Sequence, residues 1–72
     1  MKLNYYADTD SLYIDLSGKQ SSESDEVSPG IVVDYDSDGN IVGIDIDNAS
    51  KKISLKELII SKVPFEKEIV AI

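Results

Sequence analysis

The run IVVDYDSDGNIVGIDI, residues 31–46, limits what this chain can become more than any other stretch. Apolar residues stand at every second position on both sides of an Asp-Gly pair: Ile31, Val33 and Tyr35 before it, Val42, Ile44 and Ile46 after it. A period of two belongs to a strand with one buried face, and Asp-Gly is a dipeptide that two-residue hairpin loops favour. Pairing the halves about that loop sets Tyr35 opposite Val42, Val33 opposite Ile44 and Ile31 opposite Ile46. A slip of one residue turns the strand over and sets Gly43 against Val33. The spacing therefore predicts a hairpin over 31–46 closed by a type I′ turn at Asp38 and Gly39.

The same run imitates a calcium loop. Asp34, Asp36, Asp38, Gly39, Ile41 and Asp45 occupy the first, third, fifth, sixth, eighth and twelfth positions of an EF-hand pattern. That pattern needs helical flanks and a bidentate Glu at its end, whereas here the flanks read as strands and the last ligand is Asp45. In a hairpin Asp45 lies seven residues beyond Asp38, roughly 20 Å along a strand, so one ion cannot reach both. Only the tip, Asp36 and Asp38, remains as a candidate for weak cation binding. Without an ion the aspartates have an ordinary role, in the turn and on the solvated face of the hairpin.

Elsewhere the pattern repeats in shorter form. Leu3 and Tyr5, then Leu12, Ile14 and Leu16, alternate with polar residues around the turn composition ADTD, predicting a hairpin over 2–16. SGKQSSESDE, residues 17–26, has no apolar residue and reads as a surface loop that gains a strand only towards Glu26 and Val27. Pro29-Gly30 marks a bend. Beyond Ile46 the period changes: Ser54 and Glu57 have capping-box spacing, and Leu55, Leu58 and Ile59 share one helical face. A helix is expected over about 55–61, with a helical turn before it at 48–52 capped by Asp47. Pro64 ends it. The tail 64–72 is left as a sixth strand, a cover or a contact with a second subunit. The expected fold is α+β, a single domain over 1–72: an antiparallel sheet of four to five strands with the short C-terminal helix on its apolar face. Tyr5 and Tyr35 are assigned to that face; Tyr6 and Tyr13 lie opposite and are the candidates for an interaction surface.

Composition narrows the function. There is no cysteine and no histidine, so disulfides, a structural zinc site and the usual nucleophile–base pairs are unavailable. No arginine occurs, and fourteen carboxylates face seven lysines for a net charge of −7. Such a field repels phosphate backbones, so nucleic acid is not an expected partner. A core this small rarely encloses a substrate cleft, and no phosphate-binding or nucleophile motif is present. The expectation is a non-enzyme with no cofactor and no small-molecule substrate. No apolar run has the length of a membrane span, and the N-terminus lacks the apolar segment of a signal peptide, so a cytoplasmic setting is expected.

The Y-rich hairpin NYYADTDSLYIDLS, the PG bend, the block DYDSDGNIVGIDI and the following ASK resemble a family of small prokaryotic proteins known as domain of unknown function 2283. The likeness spans about residues 4–52; Asp47 and Asn48 stand where the family is more apolar, and SSESDE is more acidic than usual. It implies the same sheet fold and no assigned activity. Similar proteins are found beside another small protein in toxin–antitoxin style pairs, which implies an antitoxin-like role. The residues themselves point the same way, to a protein-interaction module that binds a basic protein or self-associates. The alternative is a weak cation-binding domain that uses the acidic hairpin tip.

Overall fold

The computed structural model describes residues 1–67 and 69. Five strands, β1 (Lys2–Tyr6), β2 (Ser11–Asp15), β3 (Glu23–Ser28), β4 (Ile31–Tyr35) and β5 (Ile41–Ile46), precede one short helix, α1 (Ala49–Lys52). The strands form one antiparallel sheet in the order β1-β2-β5-β4-β3. Strands β3, β4 and β5 run as consecutive hairpins and β2 lies beside β5, a Greek-key arrangement in which the link from β2 to β3 crosses the sheet's end. The α+β class, both hairpins and the ADTD turn follow the sequence reading.

The central hairpin keeps the expected register over most of its length, with Ile31 opposite Ile46 and Val33 opposite Ile44. Its tip corrects the type I′ turn. Tyr35 faces Ile41, not Val42; the Asp36 N–H donates to the Asn40 carbonyl at 2.9 Å and the Gly39 N–H to the Asp36 carbonyl at 3.1 Å. The loop thus has three residues, Ser37 to Gly39, and Gly39 is the one among them with positive φ, at +84°. A type I′ turn would force Asp38 into the left-handed region as well, at a cost that L-residues carry and glycine does not. A bulge then leaves Val42 as the extra residue of β5 and restores the pairing beyond it. The hydrophobic pattern sets the register of the hairpin, and the turn adjusts to it through that bulge. Gly39→Ala should cost about 1 kcal/mol, all of it from φ, since no atom lies near where its Cβ would go. Urea denaturation checks this, and an unchanged midpoint would contradict the left-handed assignment.

Two other boundaries move. Strand β3 begins at Glu23, inside the segment expected to be a loop, because an edge strand pairs through its backbone and needs no apolar residues. The C-terminal helix is there, but at Ala49–Lys52 and not at 55–61. The capping-box signal at Ser54 and Glu57 is local, and a seven-residue helix is not stable in water without a packing surface. Leu55, Leu58 and Ile59 find none: all three are exposed. The turn at 48–52 succeeds because Ala49 is fully buried against Leu12 and Ile46, with Ile14 and Ile44 packed around them.

Leu12, Val33, Val42, Ile46 and Ala49 are the buried residues of the core. Tyr5 corrects the assignment to that core: it lies on the apolar face but on an edge strand, and stays 46% exposed. Every residue from Ile53 to Lys67 is exposed. The chain presents 5996 Å² of surface, against about 4,400 Å² for a compact protein of its 7.9 kDa mass. Within the tail 64–72, residues 68 and 70–72 lie outside the described residues, and 64–67 form no strand.

Candidate functional site

The acidic hairpin tip folds around its own aspartate. One oxygen of the Asp36 carboxylate accepts the backbone N–H groups of Asp38 and Asn40, each at 2.9 Å, and the other accepts the Asn40 amide at 3.4 Å. These donors hold the Asp36 carboxyl below the usual carboxylate range. Such an arrangement is the side-chain turn by which Asp closes a loop. Asp38 sits on the exposed part of the loop, and among the described residues no three acidic groups gather as a metal site would require.

On the sheet's polar face, Tyr13 crosses from β2 over Gly43 of β5 to reach β4. Its hydroxyl donates to Asp34 Oδ2 at 2.8 Å, and Ser24 of β3 donates to Asp34 Oδ1 at 2.6 Å. One carboxylate thereby ties together three strands. The bond to Asp34, with burial second, pushes the Tyr13 hydroxyl up to about 12. Asp45, directly opposite Tyr13 across the β2–β5 pair, is pushed up by desolvation and then by Asp47 and Asp34. Tyr13 is therefore half-buried and anchored, whereas Tyr6, near the end of β1, is 52% exposed. They point to the same face, since Tyr13 pairs with Asn4 two residues away from Tyr6. Only Tyr6 presents its ring freely.

A second constellation was not apparent in the sequence. Asp10, at φ +51° in the β1–β2 turn, accepts the Ser50 N–H at 3.0 Å, the Ser50 hydroxyl at 2.7 Å and the Tyr5 hydroxyl at 2.8 Å, while its carbonyl accepts the Ala49 N–H at 2.8 Å. It does for α1 what an N-cap residue normally does; Asn48, at the cap position, makes no side-chain bond there, and Asp47 does not serve as the expected cap. The Ser50 and Tyr5 hydroxyls pull the Asp10 carboxyl down, and the same bond raises the Tyr5 hydroxyl. A carboxyl lowered on folding stabilises the fold above its unfolded value, near 3.8, and that stabilisation is lost as pH falls. Asp10→Asn is therefore expected to be less stable than the parent chain at neutral pH. The gap should close as denaturation is repeated at pH values below about 4; a gap independent of pH would remove Asp10 from the account. Nothing in the sequence marks this contact, because its partners are 40 residues apart. Gly43 did carry a signal: an isolated glycine inside a strand marks a bulge or a close approach, and here it adjoins one and permits the other.

Charge is divided along the chain. Residues 1–50 hold eleven carboxylates and two lysines, whereas residues 51–72 hold five lysines and three glutamates. The sheet is the acidic part and the C-terminal segment is mildly basic. Met1 and Leu58, Ile59, Ile60, Val63 and Phe65 line an open groove of about 450 Å³ beside the N-terminus. A second, polar hollow near the hairpin tip is lined by Gln20, Ser21, Ser22 and Ser37, with no titratable side chain among them. No helix among the described residues is long and apolar enough to cross a membrane.

Comparison with known proteins places most of this architecture in one family. The family model described as protein of unknown function (DUF2283) matches residues 2–50, from β1 to the second residue of α1, and leaves the basic segment outside. No curated protein and no solved structure matches the chain.

Proposed function

The chain belongs to the DUF2283 family of proteins of unknown function, and from that premise we propose that it is a non-enzymatic protein-interaction module that acts in the cytoplasm on a basic protein partner. The observation that carries the reading is the groove of Met1, Leu58, Ile59, Ile60, Val63 and Phe65, all exposed in a chain of 72 residues. Contiguous apolar surface of this kind marks interaction sites on soluble proteins. Residues 1–50, which build the sheet and its turns, hold eleven of the fourteen carboxylates, a field that attracts a basic partner to the chain. The carboxylates with lowered pKa, Asp10 and Asp36, are spent on holding α1 and the hairpin tip, which leaves them poorly suited to acid–base work. The tip gives the cation-binding alternative no converging set of ligands.

The test is capture from an extract of the source cells, followed by kinetics with the purified partner. A discrete protein with an excess of Lys and Arg is expected, with an association rate that falls as salt rises. The double variant Leu58→Asp, Ile59→Asp should lose it. If the parent chain captures no discrete protein, or the double variant captures the same one equally well, the proposal fails.

A further inference from the structure

The two edges of the sheet are chemically unlike. Along β3 stand Glu23, Asp25 and Glu26, so two copies brought together there would set carboxylate against carboxylate; charge of this kind is how natural sheets close an edge. Strand β1, KLNYY, has no carboxylate and one lysine. Indeed Met1–Ala7 contains no acidic residue at all, in a chain that carries fourteen. Leu3 and Tyr5 are each 46% exposed on the apolar face of this edge, and Tyr6 is exposed on the other. Among the described residues β1 is paired on one side only, with β2.

We propose that β1 is a self-recognition edge, on which β1 of a second copy pairs antiparallel across a two-fold axis through Asn4. The inference is independent of the basic-partner reading, since it rests on the backbone edge of β1 and needs only the chain itself. Centring on Asn4 pairs all five residues of the strand. Leu3 then meets Tyr5 of the second copy on the apolar face, and Lys2 meets Tyr6 on the other, an aliphatic–aromatic pair and a cation over a ring, repeated twice by symmetry. Shifting the axis by half a pairing step sets Asn4 against Tyr5 and so turns the apolar face of one sheet to the polar face of the other. Moving it to Leu3 or Tyr5 leaves part of the strand unpaired. The charge argument selects a second copy over a basic protein here: the edge carries its own lysine, and it is where two acidic chains approach without bringing acidic side chains of the strands together. A strand of five residues buries little area, so the dimer forms reversibly and its population rises with concentration.

The chain has no cysteine, which gives the register a direct test. Asn4→Cys puts one thiol from each copy at the axis, where opposed Cα atoms in an antiparallel pair stand about 4.5–5.5 Å apart, within disulfide reach. Tyr6→Cys puts the two thiols four residues apart, about 13 Å. Under mild oxidation the Asn4 variant should become a covalent dimer and the Tyr6 variant should not. Sedimentation of the parent chain should show the mass moving from one chain towards two as concentration rises. Equal cross-linking of the two variants, none in either, or a parent chain that keeps the mass of one copy at millimolar concentration overturns the proposal. Because the experiment uses the purified chain alone, its failure leaves the basic-partner reading standing, and failure of the capture experiment leaves this one.

Discussion

Leu12→Ala is expected to abolish cooperative unfolding at room temperature. Leu12 is buried in the cluster that joins sheet and helix, packed with Ile46 and Ala49 and with Ile14 and Ile44 around them. Truncating a buried leucine costs about 2–5 kcal/mol, the transfer of the lost methyl groups plus the cavity left behind. A core of this size supplies only about 3–5 kcal/mol in net stability, and no disulfide is present to make up the difference. The substitution therefore removes most of what holds the fold. Urea titration followed by circular dichroism is the measurement. Leu12→Met, which conserves volume, should lose less than about 1.5 kcal/mol and retain a sigmoidal transition. If Leu12→Ala unfolds with the parent midpoint, the cluster has been misjudged.

Gly43→Ala should have the next largest effect, about 1–3 kcal/mol, by overpacking. Its Cβ would lie 2.7 Å from Tyr13 Cζ and closer still to the hydroxyl oxygen, so the ring must leave its place. Leaving breaks the bond to Asp34 that spans the sheet. The pH dependence gives this prediction a specific signature. A tyrosine raised on folding from 10.0 to about 12 contributes stability that is fully present below pH 10 and is lost as pH rises through about 12. Both Gly43→Ala and Tyr13→Phe should flatten that alkaline loss, and in Gly43→Ala the Tyr13 titration followed by NMR should fall back towards 10. A Tyr13 titration still near its parent position in Gly43→Ala would mean that the ring had been accommodated.

These two positions show how legible the molecule was. Leu12 belongs to an alternating run, and its burial follows from period two alone. Gly43 stands out only as a glycine inside such a run, and the ring that covers it, Tyr13, comes from a strand thirty residues earlier. The hairpin 31–46 was readable because Val33, Ile44 and their neighbours each report the same register, so a local disagreement at the turn is absorbed by the bulge at Val42 without disturbing the pairs beyond it. The helical signals at 55–61 fail for the opposite reason. The signals, Ser54 with Glu57 and the stripe of Leu55, Leu58 and Ile59, all describe the segment in isolation, and among the described residues nothing buries the stripe.

The candidate site divides in the same way. Asp36 and Asp38 are visible as a pattern that belongs to both an ion loop and a hairpin tip; that Asp36 closes the tip through the Asp38 and Asn40 N–H groups is visible only in the folded loop. Tyr6 and Tyr13 share one face, as their alternation implies; that Tyr13 is tied down by Asp34 while Tyr6 is exposed depends on which strand lies next to which.

The sequence by itself determined the two hairpins, the face each apolar residue occupies and the acidity of the surface, because period, turn chemistry and charge are properties of neighbouring residues. Tertiary structure decided the strand order, which places β5 between β2 and β4 and leaves β1 and β3 as unlike edges. It also decided where the helix forms. Ala49 is buried by Leu12 and Ile46, and Asp10 holds its N-terminus from across the chain. The contacts with Leu12 and Asp10 join residues tens of positions apart, and a short helix persists only where such contacts offset the cost of ordering it.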